Sequence, residues 1–214
     1  MASWILPFES ELNELLPADL PNRELVVQKG AAHLALIVEA NRHFNLTRIV
    51  SPREAAAKHV LDSVLPWRLF SDAGHVLDAG TGAGFPGIPL ALVLPGVRFT
   101  LAESIQKKAR FVESAVAALD VSNVTVTPQR AEDVTKGVDI ITARAVAPIP
   151  RALGLFAPAL KRGVKLLLYK GPDAAREIEE SAAEARKLRV EMKVIFTCEL
   201  PEGMGTRTVV QIGI

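Results

Sequence analysis

Residues 76–87 read Val76-Leu-Asp-Ala-Gly-Thr-Gly-Ala-Gly-Phe-Pro-Gly87. A short apolar run that ends in glycines at alternate positions predicts a buried strand, a tight turn and a helix that begins near Pro86. Glycine lets the backbone turn sharply and come close to a ligand. The stretch therefore predicts the first strand of an α/β fold, with a ligand-binding turn at its end.

Apolar runs and helical patterns alternate along the chain after this turn. Such alternation predicts right-handed crossovers and a mainly parallel, doubly wound sheet. The last two strands are separated by a short turn, so the final strand is expected to be antiparallel. Further strands are predicted at Val97–Ala102, Val124–Thr127, Asp139–Thr142, Val164–Tyr169, Val190–Thr197 and Thr208–Ile212. Helices are predicted at Ser104–Leu119, Pro150–Leu160 and Asp173–Leu188, with Ser104 as the N-cap of the first.

The N-terminal part of the chain has no strand pattern before residue 75. Apolar residues near helical spacing, from Leu25 to Phe44, predict a long helix with one buried face. Ser51-Pro52-Arg53-Glu54 has the form of a capping box with proline in the first turn, and it predicts another helix. We therefore divide the chain into an N-terminal helical segment, residues 1–64, and a sheet-containing core, residues 65–214, which are expected to pack as one compact unit.

The composition is that of a globular protein, because 49% of the 214 residues are apolar and 23% are charged. The formal net charge of +1 argues against a purely electrostatic nucleic-acid binder, which is usually strongly basic. One cysteine and four scattered histidines predict neither a disulfide nor a metal site. The sequence has no visible export signal or membrane span, so a cytoplasmic location is expected.

The glycine-rich turn has two chemical interpretations. Gly82-x-Gly84-x-x-Gly87, with an acidic residue about 20 positions further on, satisfies the fingerprint of an NAD-dependent oxidoreductase. Asp78-x-Gly80-x-Gly82-x-Gly84 satisfies the motif of class I methyltransferases, which use S-adenosylmethionine. The two ligands differ in the charge that they bring to the turn.

Electrostatics favour the second interpretation. A dinucleotide places an anionic pyrophosphate at the turn, where the carboxylate of Asp78 would repel it. S-Adenosylmethionine carries an ammonium and a sulfonium, which the same carboxylate would attract. Glu103 follows the second strand, where it can accept hydrogen bonds from both ribose hydroxyls, and it is expected at the rim of the pocket. The oxidoreductase and a nucleotide-responsive binding module without catalytic activity stay open as alternatives.

Motifs on both sides of the turn resemble those of one known family, in the same order over about residues 40–171. The matching segments are Asn45-Leu-Thr47, His59-Val-Leu-Asp-Ser63, Asp78-Ala-Gly-Thr-Gly-Ala-Gly-Phe-Pro-Gly-Ile-Pro89, Lys107-Lys-Ala-Arg-Phe111, Ala131-Glu132, Ile141-Thr-Ala-Arg-Ala145 and Tyr169-Lys-Gly171. Together they resemble the RsmG (GidB, glucose-inhibited division protein B) methyltransferases of bacteria. The resemblance implies a class I methyltransferase (Rossmann-like) fold and S-adenosylmethionine as cofactor. It also implies methylation of N7 of a guanine in 16S ribosomal RNA, in a loop near the decoding site of the small subunit.

The resemblance further implies which residues contact the cofactor. The positions that match the family's contacts are Gly80, Phe85, Glu103, Ser104, Ala131, Glu132 and Arg144. The motif itself adds Asp78, through its charge, and Gly82, through close approach of its backbone. The candidate RNA contacts at the mouth of the site are Arg144, Lys170, Arg207 and Lys108. Arg144 and Lys170 are expected at the carboxyl ends of strands four and five, where open α/β sheets bind ligands.

No residue is expected to act as a general base. Guanine N7 has a free lone pair and no proton to remove, so catalysis should consist of positioning and electrostatic support. The Asn/Asp-Pro-Pro-Tyr/Phe tetrapeptide of exocyclic-amine methyltransferases and the Pro-Cys nucleophile of pyrimidine carbon-5 methyltransferases are absent from the sequence. The near-neutral net charge indicates that the RNA is recognised within the small ribosomal subunit or a precursor of it. The sequence implies no membrane partner and no particular oligomeric state.

Overall fold

The computed structural model describes residues 2–145 and 147–214, with side chains from Trp4 onward. It contains a seven-stranded sheet in the order β3-β2-β1-β4-β5-β7-β6. The strands are β1 His75–Ala79, β2 Arg98–Ala102, β3 Val124–Thr127, β4 Ile140–Arg144, β5 Lys165–Lys170, β6 Glu191–Glu199 and β7 Thr206–Gly213. Strands β1 to β5 are parallel, whereas β7 is antiparallel to both β5 and β6. The predicted mainly parallel sheet with an antiparallel last strand is confirmed.

Helices connect the parallel strands and form the N-terminal segment. The α-helices are α1 Ala2–Leu15, α2 Arg23–Asn41, α3 Pro52–Ala55, α4 Asp62–Val64, α5 Gly87–Val93, α6 Gln106–Ala118, α7 Ile149–Leu160 and α8 Ala174–Leu188. A π-helical stretch, Ala56–Leu61, joins α3 to α4, so residues 52–64 form one continuous helical segment. Single 3-10 turns occur at Trp67–Leu69, Ala131–Val134 and Pro201–Gly203. No helix in the described part of the chain is both long and apolar enough to cross a membrane.

The N-terminal helices share an apolar core with the sheet. Phe8 of α1 and Val26 of α2 are buried in the same cluster as Phe99 and Leu101 of β2. A second cluster on the other face of the sheet contains apolar residues of α7 and α8 together with Ile141 of β4 and Leu166 of β5. Burial of apolar side chains is the main favourable contribution to folding, so the helical segment is held to the core by the same interactions that hold the sheet.

The strand order creates a switch point between β1 and β4. From β1 the chain moves to one side through β2 and β3, and then returns to β4 on the other side of β1. In open α/β sheets the carboxyl ends of the strands border a crevice at such a point. The glycine-rich turn after Ala79 and the side chain of Arg144, the last residue of β4, lie at this edge.

Three local details differ from the prediction. Helix α6 begins at Gln106 with Ile105 in the N-cap position, and the exposed Ser104 makes no capping hydrogen bond. Ser51 precedes α3 but its side chain caps no backbone N–H; Pro52 occupies the next position and has no N–H to be capped. Leu25 is 36% exposed and lies outside the buried face of α2, which contains Val26, Leu34 and Ile37.

Candidate active site

The turn between β1 and α5 is built from left-handed backbone. Gly80, Gly82 and Gly84 have φ angles of 67°, 63° and 100°, a region that favours glycine. A Cβ on Gly84 would lie 2.6 Å from Cδ1 of Ile88, so the Ile88 side chain would have to move, and the φ of 100° disfavours any other residue there. A Cβ on Gly82 would have its nearest neighbour 4.0 Å away. The turn therefore leaves open space beside Gly82, through which a ligand can approach the backbone.

Asp78 lies beneath this turn and is fully buried. Its Oδ2 accepts hydrogen bonds from the hydroxyl of Thr81 at 2.5 Å and from the N–H of Gly87 at 2.9 Å. Its Oδ1 has no partner among the described residues. Burial raises the pKa of Asp78 to about 6, although the two hydrogen bonds favour the charged form. The carboxylate holds both ends of the turn, and its attraction for a cationic cofactor stays a prediction.

Glu103 is the second acid that shapes the turn. Its Oε2 accepts a hydrogen bond from the N–H of Gly82 at 3.1 Å, and its Oε1 accepts one from the N–H of Ile105 at 2.9 Å. The residue is only 6% exposed, so the expectation that it stands at an open rim is wrong. Because Ala79 and Ala102 are paired in the β1–β2 register, Glu103 follows β2 directly beside the turn. It thus links the end of β2 to the backbone of Gly82.

A cavity of about 120 Å³ lies beside the turn at the carboxyl ends of β1 and β2. Four of the residues predicted to contact the cofactor line it, namely Gly80, Ser104, Ala131 and Glu132. Much of the remaining wall is apolar and comes from Ala79, Ala102, Leu155 and Phe156. An apolar pocket with a few polar groups is suited to a nucleoside. The residues present therefore fit the adenosine part of S-adenosylmethionine.

A larger cavity of about 550 Å³ adjoins the first, because Ala147 lines both. Its wall carries four basic side chains, Lys58, Arg144, Lys170 and Arg207, and two acidic ones, Asp62 and Glu177. The wall thus carries more positive than negative side chains, which favours an anionic ligand such as a nucleotide phosphate. Three of the four predicted RNA contacts, Arg144, Lys170 and Arg207, line this cavity.

Phe85 of the turn lies between two histidines of the N-terminal segment. The ring of His59 stacks on it with centroids 4.6 Å apart and an interplanar angle of 8°, and the ring of His33 is tilted at 4.7 Å. The guanidinium of Arg144 lies 5.3 Å from the centre of the same ring. Phe85 is 4% exposed. Its contact with the cofactor stays a prediction. In the structure Phe85 packs against His33 of α2 and His59 of the π-helical stretch, and these contacts hold the turn against both elements.

Both histidines are buried and neutral in the folded protein. Burial lowers the pKa of His33 to about 4. Burial and then the charge of Arg144 lower that of His59 to about 3. Nε2 of His33 is paired with the carbonyl oxygen of Ala83 at 2.8 Å, and Nε2 of His59 with the hydroxyl of Thr47 at 3.2 Å. A proton on either ring would therefore enter an apolar stack that already contains a cation.

We expect acid to destabilise the protein through these two rings. In the unfolded chain they accept protons below about pH 6.5, whereas in the folded protein they do so only near pH 4 and 3. The free energy of unfolding should fall as the pH is lowered from 6.5 to about 4, by up to about 1.4 kcal/mol per pH unit for each ring. The raised pKa of Asp78 acts in the opposite sense, since its contribution is present at low pH and is lost as the pH rises from 3.8 to about 6.

Urea unfolding of the wild type, His33→Gln and His59→Gln at a series of pH values separates these effects, because Asp78 is common to all three. Each variant should be less stable at pH 7 but should lose less stability than the wild type on acidification. If the free energy of unfolding depends on pH in both variants as it does in the wild type, the core does not contain neutral imidazoles.

Two of the predicted RNA contacts, Lys170 and Lys108, differ in their surroundings. Lys170 is 9% exposed, and its ammonium donates to Oε2 of Glu177 at 2.7 Å and to the carbonyl oxygen of Ala147 at 2.8 Å. Lys170 lies at the end of β5 as expected, but its ammonium is already paired with Glu177 of α8, and its contact with RNA stays a prediction. Lys108 is half-buried on α6 and is not among the residues that line either cavity.

Three polar residues outside the predicted site help to build it. His33 supports Phe85, Glu177 pairs with Lys170, and Asp62 contacts two arginines. The sequence signal for His33 and Asp62 is a polar residue within a helical run whose neighbours are apolar. Such a residue is buried at a cost unless it has partners, so its position alone indicates that partners come from elsewhere in the chain.

Solved structures with the same architecture include two methyltransferases. An O-methyltransferase from Bacillus cereus, in complex with SAH, has a TM-score of 0.60 at 18% identity, and the similarity covers 100% of this chain and 99% of that one. The O-methyltransferase TomG from Streptomyces achromogenes, in complex with SAM, has a TM-score of 0.57 at 20% identity over 85% and 90% of the two chains. At these identities the likeness establishes the fold alone, which is that of a class I methyltransferase.

Sequence comparison identifies the family. The model of the GidB family, described as rRNA small subunit methyltransferase G, matches residues 27–205. A protein named ribosomal RNA small subunit methyltransferase G from Solibacter usitatus is 63% identical over 97% of this chain and 100% of its own length. One of the same name from Carboxydothermus hydrogenoformans is 36% identical over 86% and 81% of the two chains. These matches give no support to the NAD-dependent oxidoreductase, and the chain belongs to the GidB family of rRNA small subunit methyltransferases.

Proposed function

We propose that this protein transfers a methyl group from S-adenosylmethionine to N7 of a guanine in 16S ribosomal RNA. The observation that carries the proposal is the pair of adjoining cavities at the switch point of the sheet. The small cavity has a largely apolar lining that suits a nucleoside, and the large cavity has a basic lining. Ala147 lies between the two cavities, since it lines both. Membership of a family named for methylation of small-subunit rRNA supports the same reaction.

On the donor side, the chain's own residues bind and orient the methyl donor. When bound, S-adenosylmethionine supplies an electrophilic methyl group on a sulfonium. We propose that Gly80, Ser104, Ala131 and Glu132 contact its adenosine part, because they line the small cavity. Glu103 keeps the backbone of Gly82 in place and has lone pairs left for ribose hydroxyls. Asp78 acts through the geometry of the turn that it holds.

On the acceptor side, the chemistry needs orientation more than proton transfer. N7 has an in-plane lone pair and no hydrogen, so no side chain has to remove a proton. Transfer would join the methyl carbon to N7 as its bond to sulfur breaks, and the positive charge would then lie on the purine ring. Arg144 and Arg207, which line the large cavity, are proposed to hold the nucleotide in line for this step.

We further propose that the substrate is the RNA within the small ribosomal subunit or a precursor of it, which would place the enzyme in the bacterial cytoplasm. The net charge of +1 gives little general attraction for RNA, so a folded particle that offers several contacts is a better substrate than a free strand. We retain residues 1–64 as a helical cap that supplies His33, His59 and Asp62 to the site, and residues 65–214 as the cofactor-binding core.

The test combines ligand binding with methyl transfer. Calorimetric titration should detect binding of S-adenosylmethionine at micromolar concentrations and no comparable binding of NAD. Small subunits from cells that lack this enzyme should accept one labelled methyl group, and mapping should place it on N7 of a single 16S guanine. Binding of NAD without S-adenosylmethionine, or methylation of another atom of the RNA, would overturn the proposal.

A further inference from the structure

Asp62 is a buried carboxylate that holds two arginines at once. It is 0% exposed, and it lies at the point where the π-helical stretch passes into α4. Its Oδ2 accepts a hydrogen bond from Nη1 of Arg144 at 2.9 Å, and its Oδ1 accepts one from Nε of Arg207 at 2.5 Å. The two arginines come from different strands, at the end of β4 and near the start of β7. A single side chain thus joins the helical cap to both sides of the large cavity.

Each guanidinium is fixed by a second contact as well. Nη1 of Arg144 also donates to the carbonyl oxygen of Lys58 at 2.7 Å, and the guanidinium carbon of Arg144 lies over the ring of Phe85. Nη1 of Arg207 donates to the carbonyl oxygen of Lys170 at 3.3 Å. Within the described part of the chain, Nη2 of both arginines donates no hydrogen bond to a protein acceptor. These N–H groups belong to side chains that line the cavity, so one nitrogen of each guanidinium is left to donate to a ligand.

Stability does not explain this arrangement well. Two cations share one anion here, and the side chains are only 14% and 21% exposed. Buried ion pairs are seldom more stable than apolar side chains of the same volume, because removing charges from water is costly. What the arrangement provides is a surplus of one positive charge and a fixed geometry, which are properties of a binding site prepared before its ligand arrives.

We propose that Asp62 is a positioning residue for the acceptor nucleotide, acting through Arg144 and Arg207. The inference rests on the proposed function. The arginines must donate to phosphate or to O6 and leave N7 alone, because a hydrogen bond to N7 would occupy the lone pair that attacks the methyl group. The hydrogen bonds of Asp62 fix which N–H groups point into the cavity. The carboxylate also offsets one of the two cations near a base that becomes positively charged.

Replacement of Asp62 tests the proposal through a comparison of substrates. In Asp62→Asn, the amide can accept from one arginine but turns its own N–H₂ group toward the other. We expect KM for small subunits to rise about tenfold or more, whereas the Kd of S-adenosylmethionine should change by less than about twofold. Asp62→Glu is the second variant, for use if Asp62→Asn does not fold. It keeps the charge but displaces both guanidinium groups, and it should also raise KM for small subunits without changing the Kd of S-adenosylmethionine. Glu11→Gln is the matched control, because Glu11 pairs with Arg53 away from both cavities, and its kinetics should equal those of the wild type.

A double-mutant cycle separates positioning from a general structural role. If Asp62 acts through both arginines, adding Asp62→Asn to Arg207→Ala should raise KM by a smaller factor than adding it to the wild type, because only the part that acts through Arg144 is left. A normal KM in a folded Asp62→Asn or Asp62→Glu enzyme would overturn the inference, as would multiplication of the two separate effects in the double variant. Absence of methyl transfer by the wild type would instead refute the proposed function.

Discussion

Glu103→Ala is expected to weaken binding of S-adenosylmethionine by about 1.5–3 kcal/mol, the scale of a lost charged hydrogen bond. The carboxylate is buried, and its two oxygens accept the backbone N–H groups of Gly82 and Ile105. Its removal leaves both donors without their acceptor, so the free energy of unfolding should also fall, by about 1–3 kcal/mol. Replacement of an exposed carboxylate at the rim of the pocket would have changed the free energy of unfolding little, so this expected loss of stability follows from the burial of Glu103.

Calorimetric titration and urea unfolding at pH 7 measure the two effects of Glu103→Ala. Glu103→Gln keeps one acceptor oxygen, so its affinity for S-adenosylmethionine and its free energy of unfolding should lie between those of Glu103→Ala and the wild type. Glu113→Ala, on the exposed face of α6, makes the same chemical change away from the turn and is the control. If Glu103→Ala folds and binds S-adenosylmethionine as tightly as Glu113→Ala, Glu103 has no part in the cofactor site.

The strands were predictable because their signal is local. Val124–Thr127 is a strand with the predicted bounds, and the other core strands differ by one or two residues at their ends. The small shift of β4 matters most, since Arg144 is the last residue of the strand and not part of the loop after it. Strand ends depend on the partner strands, which a single apolar run does not specify.

The environment of the site residues was less predictable because it depends on distant partners. Lys170 is paired with Glu177 of α8, a residue seven positions further along the chain, and this pairing was not predicted from the sequence. His59 and Asp62 are three residues apart in sequence, at a spacing typical of a helical pair. In the structure His59 binds Thr47 and stacks on Phe85, while Asp62 binds two arginines. The motif that contains both residues was visible, but the role of each is set by the tertiary contacts.

Arg144→Ala should have the largest effect on methyl transfer, with kcat/KM for small subunits reduced about 100-fold or more, as for the loss of an oriented electrostatic group in an active site. The guanidinium, at the end of β4, contacts two other parts of the site. It donates to Asp62 and to the carbonyl oxygen of Lys58 in the helical cap, and it lies over Phe85 of the turn. Without it, Asp62 keeps only Arg207, and one side of the acceptor cavity loses its charge.

The reduction should persist at all salt concentrations, in contrast to the loss of an exposed phosphate contact, which salt makes less important. The Arg144 side chain is only 14% exposed and its partners are buried, so bulk ions screen it little. Arg144→Lys should not restore activity, because an ammonium could donate to Asp62 and to the Lys58 carbonyl but would leave no planar group over Phe85 and no second nitrogen to donate to a ligand. Arg98→Ala, at the opposite end of the sheet, is the control and should methylate normally. Methylation by Arg144→Ala at the rate of Arg98→Ala, in low and in high salt, would show that the acceptor site does not depend on this guanidinium and would remove the basis for the role of Asp62.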